Sequence, residues 1–382
     1  MYDVIVAGAG PAGSTAAATL AQAGRRVLLI DRSTFPRDKT CGDAIQGGAI
    51  DLLRGLGYLD LLDATQFTSI KEWTITAPSG IMAAASLSPH EHAPYIARRI
   101  DFDLLVYQQA IANGAEFCQA QVTAPIIENG KVVGVTVKPH GAKDTVDLRA
   151  RLVIAADGAT SVIARAVRGG RDEDIHWAVA SRCYVKMAQP LNHRCEFYFP
   201  KVILPGYAWI FPAGNDSANI GVGMRLDKYR QRDSSLNDLL DLFLDTLGDR
   251  VDRNSIESVK SWQIPFGSKF NERTFDGCLL VGDAGNFVDP LLGAGIYFGM
   301  KTGQLAAQVA DIALRDGDTS RQRLSEYDRR WKRALTQSLR RATIVQKVVI
   351  SHPHSMNVVL GLAALHPTLS RWVVMTLSGE KI

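Results

Sequence analysis

Apolar positions along the chain fall into unbroken runs, period-two stretches and helical repeats. "YDVIVAGAG", residues 2–10, is an apolar run ending in glycine. A parallel strand buried on both faces reads this way. "GSTAAATLAQAG", 13–24, is alanine-rich, helix-favouring and closed by Gly24. "RRVLLIDR", 25–32, predicts a second buried strand. Together these segments make one βαβ unit of about thirty residues.

Residues 95–113 predict a helix beginning near Asp101 and stopping at "NGA". "EFCQAQVTAPIIENGKVVGVTVKP" then alternates, with the hairpin signal "ENGK" between two strands. "LRARLVIAADGATS" predicts another buried strand running into a glycine turn. From about 177 to 270 the pattern shortens to aromatic and β-branched strands: "AVASRCYVKM", "HRCEFYFP", "YAWIFPAG" and "SANIGVGM". They predict an antiparallel sheet, followed by a helix at 235–248. "GCLLVGDAG" returns to the buried-strand pattern, and "GAGIYFGMKTGQLAAQVADIAL" predicts a long helix. The expected organisation is a discontinuous nucleotide-binding domain over 1–75, 95–175 and 272–320. A substrate-binding sheet domain occupies 76–94 and 176–271, and a helical C-terminal region occupies 321–382. That last region is basic, "RQRLSEYDRRWKRALTQSLRRATIVQK", and then apolar, "VVLGLAALHPTLSRWVVMTL".

Composition narrows the class. The 382 residues are 46% hydrophobic and 21% charged, enough apolar content for a sizeable core in a soluble protein. A net charge of +4 calls for no nucleic acid, and no nucleic-acid-binding signature is present. The five cysteines are scattered, odd in number and lack metal-ligand pairing, which argues against a disulfide framework or a zinc site and for a reducing compartment. The N-terminus enters a strand directly, without a signal-peptide pattern, and no segment has the length and apolarity of a membrane span. A cytoplasmic monomer is expected.

The chemistry starts at "GAGPAG". Gly8, Gly10 and Gly13 fit GxGxxG, with Ala12 inside the turn. The first glycine permits the tight turn, the second lets a pyrophosphate approach the backbone, and the third lets helix and strand pack closely. The helix N-terminus favours phosphate charge. Asp31, followed by Arg32, ends the second strand, where an acid accepts from ribose hydroxyls. "AADGATS" adds Asp157 and Gly158 at a third strand end, and "LLVGDAGNFVDPLLGAGI" adds Gly282, Asp283 and a turn from Gly293 through Gly295 to Ile296.

This series resembles the glutathione-reductase-like FAD-binding fold of the para-hydroxybenzoate-hydroxylase type, over most of residues 1–315. The resemblance implies FAD as cofactor and Asp283 at its ribityl and pyrophosphate region. It implies the Gly293, Gly295 and Ile296 backbone beside the flavin ring, and Val122 at the adenine. Arg99 with Asp103 fits the RxxFD pattern that opens the second long helix of that superfamily, and by resemblance Arg99 contacts the cofactor. Arg98 is adjacent, so the register is open by one residue.

Two further segments are more specific. "PRDKTCGDA" resembles the PRxKxCG segment of the geranylgeranyl reductase family, and "PGYAWIFP", 205–212, resembles its YxWxFP signature. That family reduces isolated carbon–carbon double bonds of polyprenyl chains on lipids, quinones or pigment precursors. The resemblance implies Cys41 and Gly42 at the catalytic flavin, with Tyr207, Trp209 and Phe211 lining a prenyl-lipid cavity. Ala44 also faces the cofactor, where the family often has glycine. Arg37 and Lys39 flank Cys41, a setting suited to a reactive or proton-donating thiol. A second GxGxxG for a nicotinamide is absent, so NADPH would bind transiently or a ferredoxin-like donor would serve. The basic tail, with Arg329, Arg330, Lys332, Arg333, Arg340 and Arg341, suits either a solvated helix face or peripheral contact with anionic headgroups. Two other readings share the fold: a flavin monooxygenase or halogenase acting on an aromatic metabolite, and a flavoprotein that binds without turnover.

Overall fold

The computed structural model describes residues 1–62, 67–87, 94–214 and 216–378. The 88–93 part of the expected sheet-domain segment and the last four positions of the tail lie outside the described residues. The described residues form an α/β fold built on two seven-stranded mixed sheets and a small three-stranded one.

The first sheet grows from the βαβ unit. Strands Tyr2–Ala7 and Val27–Asp31 pair in parallel, with Val4 opposite Val27. Helix Pro11–Gln22 joins them and ends where Gly24 takes a positive φ of 77°. On one side Val27–Asp31 pairs in parallel with the start of strand Glu116–Glu128, and on the other Tyr2–Ala7 pairs with the end of Val146–Ala155. Cys278–Leu280 extends this layer in parallel. The long strands leave the layer at their far ends and meet across Lys131–Pro139 as an antiparallel ribbon. Asn129 and Gly130 turn that hairpin with φ of 50° and 78°, the two positive values a type I′ turn requires.

The second sheet runs in the order 251–265, 177–187, 217–225, 206–212, 194–198, 72–76, 82–86. It departs from the expected antiparallel sheet at one pairing: Arg194–Tyr198 runs parallel to Glu72–Thr76. The latter strand starts before residue 76, so the second sheet begins earlier in the chain than the alternation suggested. Helix Leu236–Leu247 covers one face, started by a capping box in which Ser235 and Asp238 bond each other's backbone N–H.

Helix Arg99–Ala112 begins at Arg99 rather than near Asp101. Arg99 must lie inside the helix to reach Asp103 one turn on, and Asp101 sits in the first turn where its charge suits the helix dipole. The long helix Ile296–Asp316 packs tightly on Pro11–Gln22. A Cβ on Gly303 would stand 2.3 Å from the Ala12 carbonyl oxygen. The tail is helical, over Glu326–Val345, Pro353–Ala364 and Pro367–Leu377. It is anchored by Arg273, fully buried against both the Phe287 and Trp331 rings with its donors on backbone carbonyls.

Candidate functional site

Two adjoining cavities open at the carboxyl ends of the parallel strands, where open α/β sheets bind ligands. One, of about 370 Å³, is lined by Gly8, Gly10, Asp31, Arg32, Val122 and Asp157. The other, of about 210 Å³, runs past Gly10, Ala12, Cys41, Gly42, Ala44, Arg99 and Asp283. It continues along Gly293, Gly295 and Ile296 to an aromatic wall of Trp73, Phe197, Tyr207, Trp209 and Phe211. Gly10, Lys39, Thr40, Ala156, Gly158 and Trp262 line both, so the two form one channel.

The glycine turn explains its own residue types. Gly8 has φ of 102°, and a Cβ there would stand 2.2 Å from the Ala156 carbonyl oxygen. A Cβ on Gly13 would stand 1.8 Å from the Gly8 oxygen, so this glycine serves close packing and lines neither cavity. Gly10 precedes a helix whose N-terminus no side chain caps and whose first turn holds no acid. Open N–H groups and a positive dipole end therefore face the shared wall, with Arg32, Arg37 and Lys39 nearby. A pyrophosphate fits this cradle. Asp31 spends one carboxylate oxygen on the Ala9 N–H and the other on the Ser33 N–H, which fixes it at the cavity floor. Asp157 lines the same cavity and accepts from Ser161 and the Val162 N–H at the start of helix Val162–Arg168. Sequence alone does not show this capping role.

Arg99 is the buried member of the Arg98–Arg99 pair. It makes a bidentate bond with Asp103 at 2.6 and 2.7 Å, and Arg98 stacks on the Tyr184 ring instead. Arg37 also binds Asp103, at 2.9 Å, and Lys39 approaches Asp283 at 3.7 Å. Both basic neighbours of Cys41 are thus committed to carboxylates. Burial pushes the Cys41 thiol above its usual range, and the adjacent Arg99 guanidinium offsets this only in part. The thiol is therefore held protonated, which favours the proton-donating reading over a reactive thiolate.

The two family-like segments meet in space. A Cβ on Gly42 would lie 3.4 Å from both the Trp209 indole nitrogen and the Phe211 ring. Trp209 in turn lies flat over Gly221 of the neighbouring strand, 2.2 Å from where a Cβ would be. Tyr207 donates its hydroxyl to the Leu292 carbonyl in the turn after Asp283. That turn is held by Asp289, whose Oδ1 accepts from the Leu291 and Leu292 N–H groups. The long helix then starts at Gly295 with no capping side chain, its N-terminus in the cavity wall.

A buried polar network ties these parts together, and sequence reasoning missed it. Asn219 donates Nδ2 to the Cys41 carbonyl at 2.8 Å and to Asp43 Oδ2 at 2.7 Å, and its Oδ1 accepts from Trp209 Nε1 at 2.9 Å. Tyr184 donates to the same Asp43 oxygen at 2.6 Å. Burial pushes the Asp43 carboxyl up to about 6 against these two bonds. One signal was available. Asn219 interrupts the apolar strand "SANIGVGM", and a polar side chain inside a buried strand needs a partner.

Similarity to known proteins agrees with this geometry. The FAD binding domain family matches residues 1–342. The digeranylgeranylglycerophospholipid reductase of Methanocella arvoryzae is 32% identical over 94% of this chain and 90% of its own length. The menaquinone reductase of Mycobacterium tuberculosis is 33% identical over 81% of this chain and 76% of its own. Among solved structures, a geranylgeranyl bacteriochlorophyll reductase-like protein of Thermoplasma acidophilum superposes with a TM-score of 0.85 at 24% identity, covering 100% of this chain and 96% of that one. The flavin-dependent brominase Bmp2 shares the fold at a TM-score of 0.76 and 24% identity, covering 99% of this chain and 93% of its own. With the glycine cradle, the thiol segment and the aromatic wall in one channel, the chain belongs to the geranylgeranyl reductase family of FAD-dependent oxidoreductases.

Proposed function

We propose that this enzyme saturates carbon–carbon double bonds in the polyprenyl chain of a lipid, quinone or pigment precursor. The observation that carries the reading is the contact of the Cys41–Gly42 segment with Trp209 and Phe211 in the wall of one apolar cavity. A prenyl chain needs an elongated apolar space with few polar groups. The Trp73, Phe197, Tyr207 and Phe211 rings supply it, and of the carboxylates near it Asp103, Asp283 and Asp289 are met by Arg, Lys or backbone donors while Asp43 accepts from Tyr184 and Asn219.

Saturating an alkene takes a hydride and a proton, and bound FAD supplies the hydride. In this reading Gly8, Gly10 and the helix N-terminus hold the pyrophosphate. Asp31 and Arg32 take the ribose side, Val122 the adenine and Asp283 the ribityl region. Arg99, Ala44 and the Gly293–Ile296 backbone, which line one cavity, would border the flavin ring. In this reading Cys41, which lines the cavity and whose thiol burial keeps protonated, would deliver that proton to the second alkene carbon. The aromatic wall excludes water from this step. A transiently bound NADPH or a ferredoxin-like protein would recharge the flavin.

The test is anaerobic. Reduced holoenzyme mixed with a geranylgeranyl lipid should reoxidise its flavin and yield product two hydrogens heavier for each bond reduced. Failure to reoxidise with any prenyl lipid overturns the proposal. Oxygen-dependent insertion of hydroxyl or halogen into an aromatic substrate would replace it with the monooxygenase or halogenase reading.

A further inference from the structure

The last two tail helices carry apolar residues on both faces. Helix Pro353–Ala364 turns Met356, Leu360 and Ala363 inward, into the apolar cluster that holds Trp73, Phe197, Trp209 and Phe211. Its outer face carries Val358 and Leu362, and Leu365 just beyond it is 79% exposed. Helix Pro367–Leu377 buries Val373, Val374 and Leu377 in the same cluster and turns Leu369 and Trp372 outward. Ile344, near the end of helix Glu326–Val345, and Val348, in the turn that follows it, are exposed as well, and that turn packs against helix Pro353–Ala364. The spacings 344/348, 358/362/365 and 369/372 each place the exposed residues on one helical face. Ile81 and Met82 are also exposed, and their strand lies against the last helix, where Ser370 donates to the Ala84 carbonyl. A helix apolar all round is normally buried, so this face lacks its partner.

Charge identifies the partner. Residues 329–378 hold eight arginines and lysines and no aspartate or glutamate. Arg341 and Lys347 are exposed on the turns that carry Ile344 and Val348. A two-fold contact of this face with its own copy would set cation against cation. An anionic lipid surface accepts both the apolar stripe and its cationic border. Position agrees: Gln346 and Ile350, in the turn that follows helix Glu326–Val345, and Ser378, at the end of the last helix, line the aromatic cavity. Among the described residues no helix is long and apolar enough to cross a membrane, so the contact is with the surface.

We propose that the outer face formed by Ile344, Val348, Leu362, Leu365 and Trp372 docks on an anionic bilayer, directly over the cavity that receives the prenyl chain. The docking surface stands on its own observations; delivery of substrate from the bilayer rests on the proposed function.

The experiment uses full-length, FAD-loaded protein and vesicles of phosphatidylcholine with or without roughly one-third phosphatidylglycerol. The protein should co-sediment with the anionic vesicles and be released by salt. The variant carrying Leu365→Asp and Trp372→Asp should bind them at least about tenfold more weakly, keeping its FAD and its turnover of detergent-dispersed prenyl lipid. Absence of co-sedimentation, or equal binding by the variant, overturns the proposal. So does a wild-type dimer that the variant splits, since a second copy then covers the face. Vesicle binding without reduction of any prenyl lipid would overturn the proposed function and leave the docking surface standing.

Discussion

Replacing Asp43 with asparagine removes an ionisable group from the site and keeps the side chain's shape. Asp43 is wholly buried; Oδ2 accepts from Tyr184 and Asn219, and Oδ1 has no partner among the described residues. Burial raises the carboxyl from its ordinary 3.8 to about 6, outweighing Tyr184, Asn219, Arg182 and Arg99. Between those two pH values the folded protein keeps a proton that the unfolded chain has released. Stability from this group is therefore complete below pH 3.8 and is lost as pH rises through about 6. The gap corresponds to about 3 kcal/mol, of which about 2 kcal/mol falls between pH 4.5 and 7.5. Asparagine does not titrate. The stability of Asp43→Asn relative to wild type should thus rise by about 2 kcal/mol across that window. Asp289, also buried and raised to about 6, titrates in both proteins and cancels in the difference. The amide nitrogen that replaces the unpartnered Oδ1 adds a constant offset without slope. Asn tolerates the backbone here, where φ is 66°. Urea unfolding of both FAD-loaded proteins at a series of pH values reads the difference. A difference that stays flat, or that falls with rising pH, refutes the placement of an ionised carboxylate at this position.

Cys41→Ser replaces a raised thiol with a far weaker acid, so turnover should fall by about a hundredfold with FAD content unchanged; unchanged turnover would leave the thiol a packing role. Asn219→Ala strips the Trp209 indole and the Asp43 carboxylate of partners at once, and should lower unfolding free energy by about 3 kcal/mol or more; a loss under about 1 kcal/mol would contradict the network. Gly13→Ala forces a methyl onto the Gly8 carbonyl oxygen, and the purified protein should come without FAD; a fully loaded variant would contradict the close packing of helix on strand.

What could be read in advance was whatever is written locally. Strand, glycine turn, helix and acid lie within residues 2–31, and each has a side-chain or backbone reason to be there. "ENGK" specified its own turn, since Asn and Gly are the residues that accept two consecutive positive φ values. What escaped was set by partners distant in sequence. Strand Glu72–Thr76 belongs to the second sheet because it pairs with Arg194–Tyr198, about 120 residues on, and nothing in its own alternation names that partner. Asp157 lines the nucleotide cavity as expected, but nothing in its own segment shows that it also accepts from Ser161 and the Val162 N–H at a helix start. Arg37 and Lys39 suggested an activated thiol by proximity in sequence, but Asp103 and Asp283 draw both cations away, and burial then decides the proton's place. Asn219 joins the thiol loop to the aromatic strand through a single amide, with the Cys41 carbonyl and Asp43 on one side and the Trp209 indole on the other. The Trp209 indole and the Cys41 backbone are thereby bonded to the same side chain. Two segments far apart in the chain act as one wall because a buried amide left unbonded would cost more than holding them together.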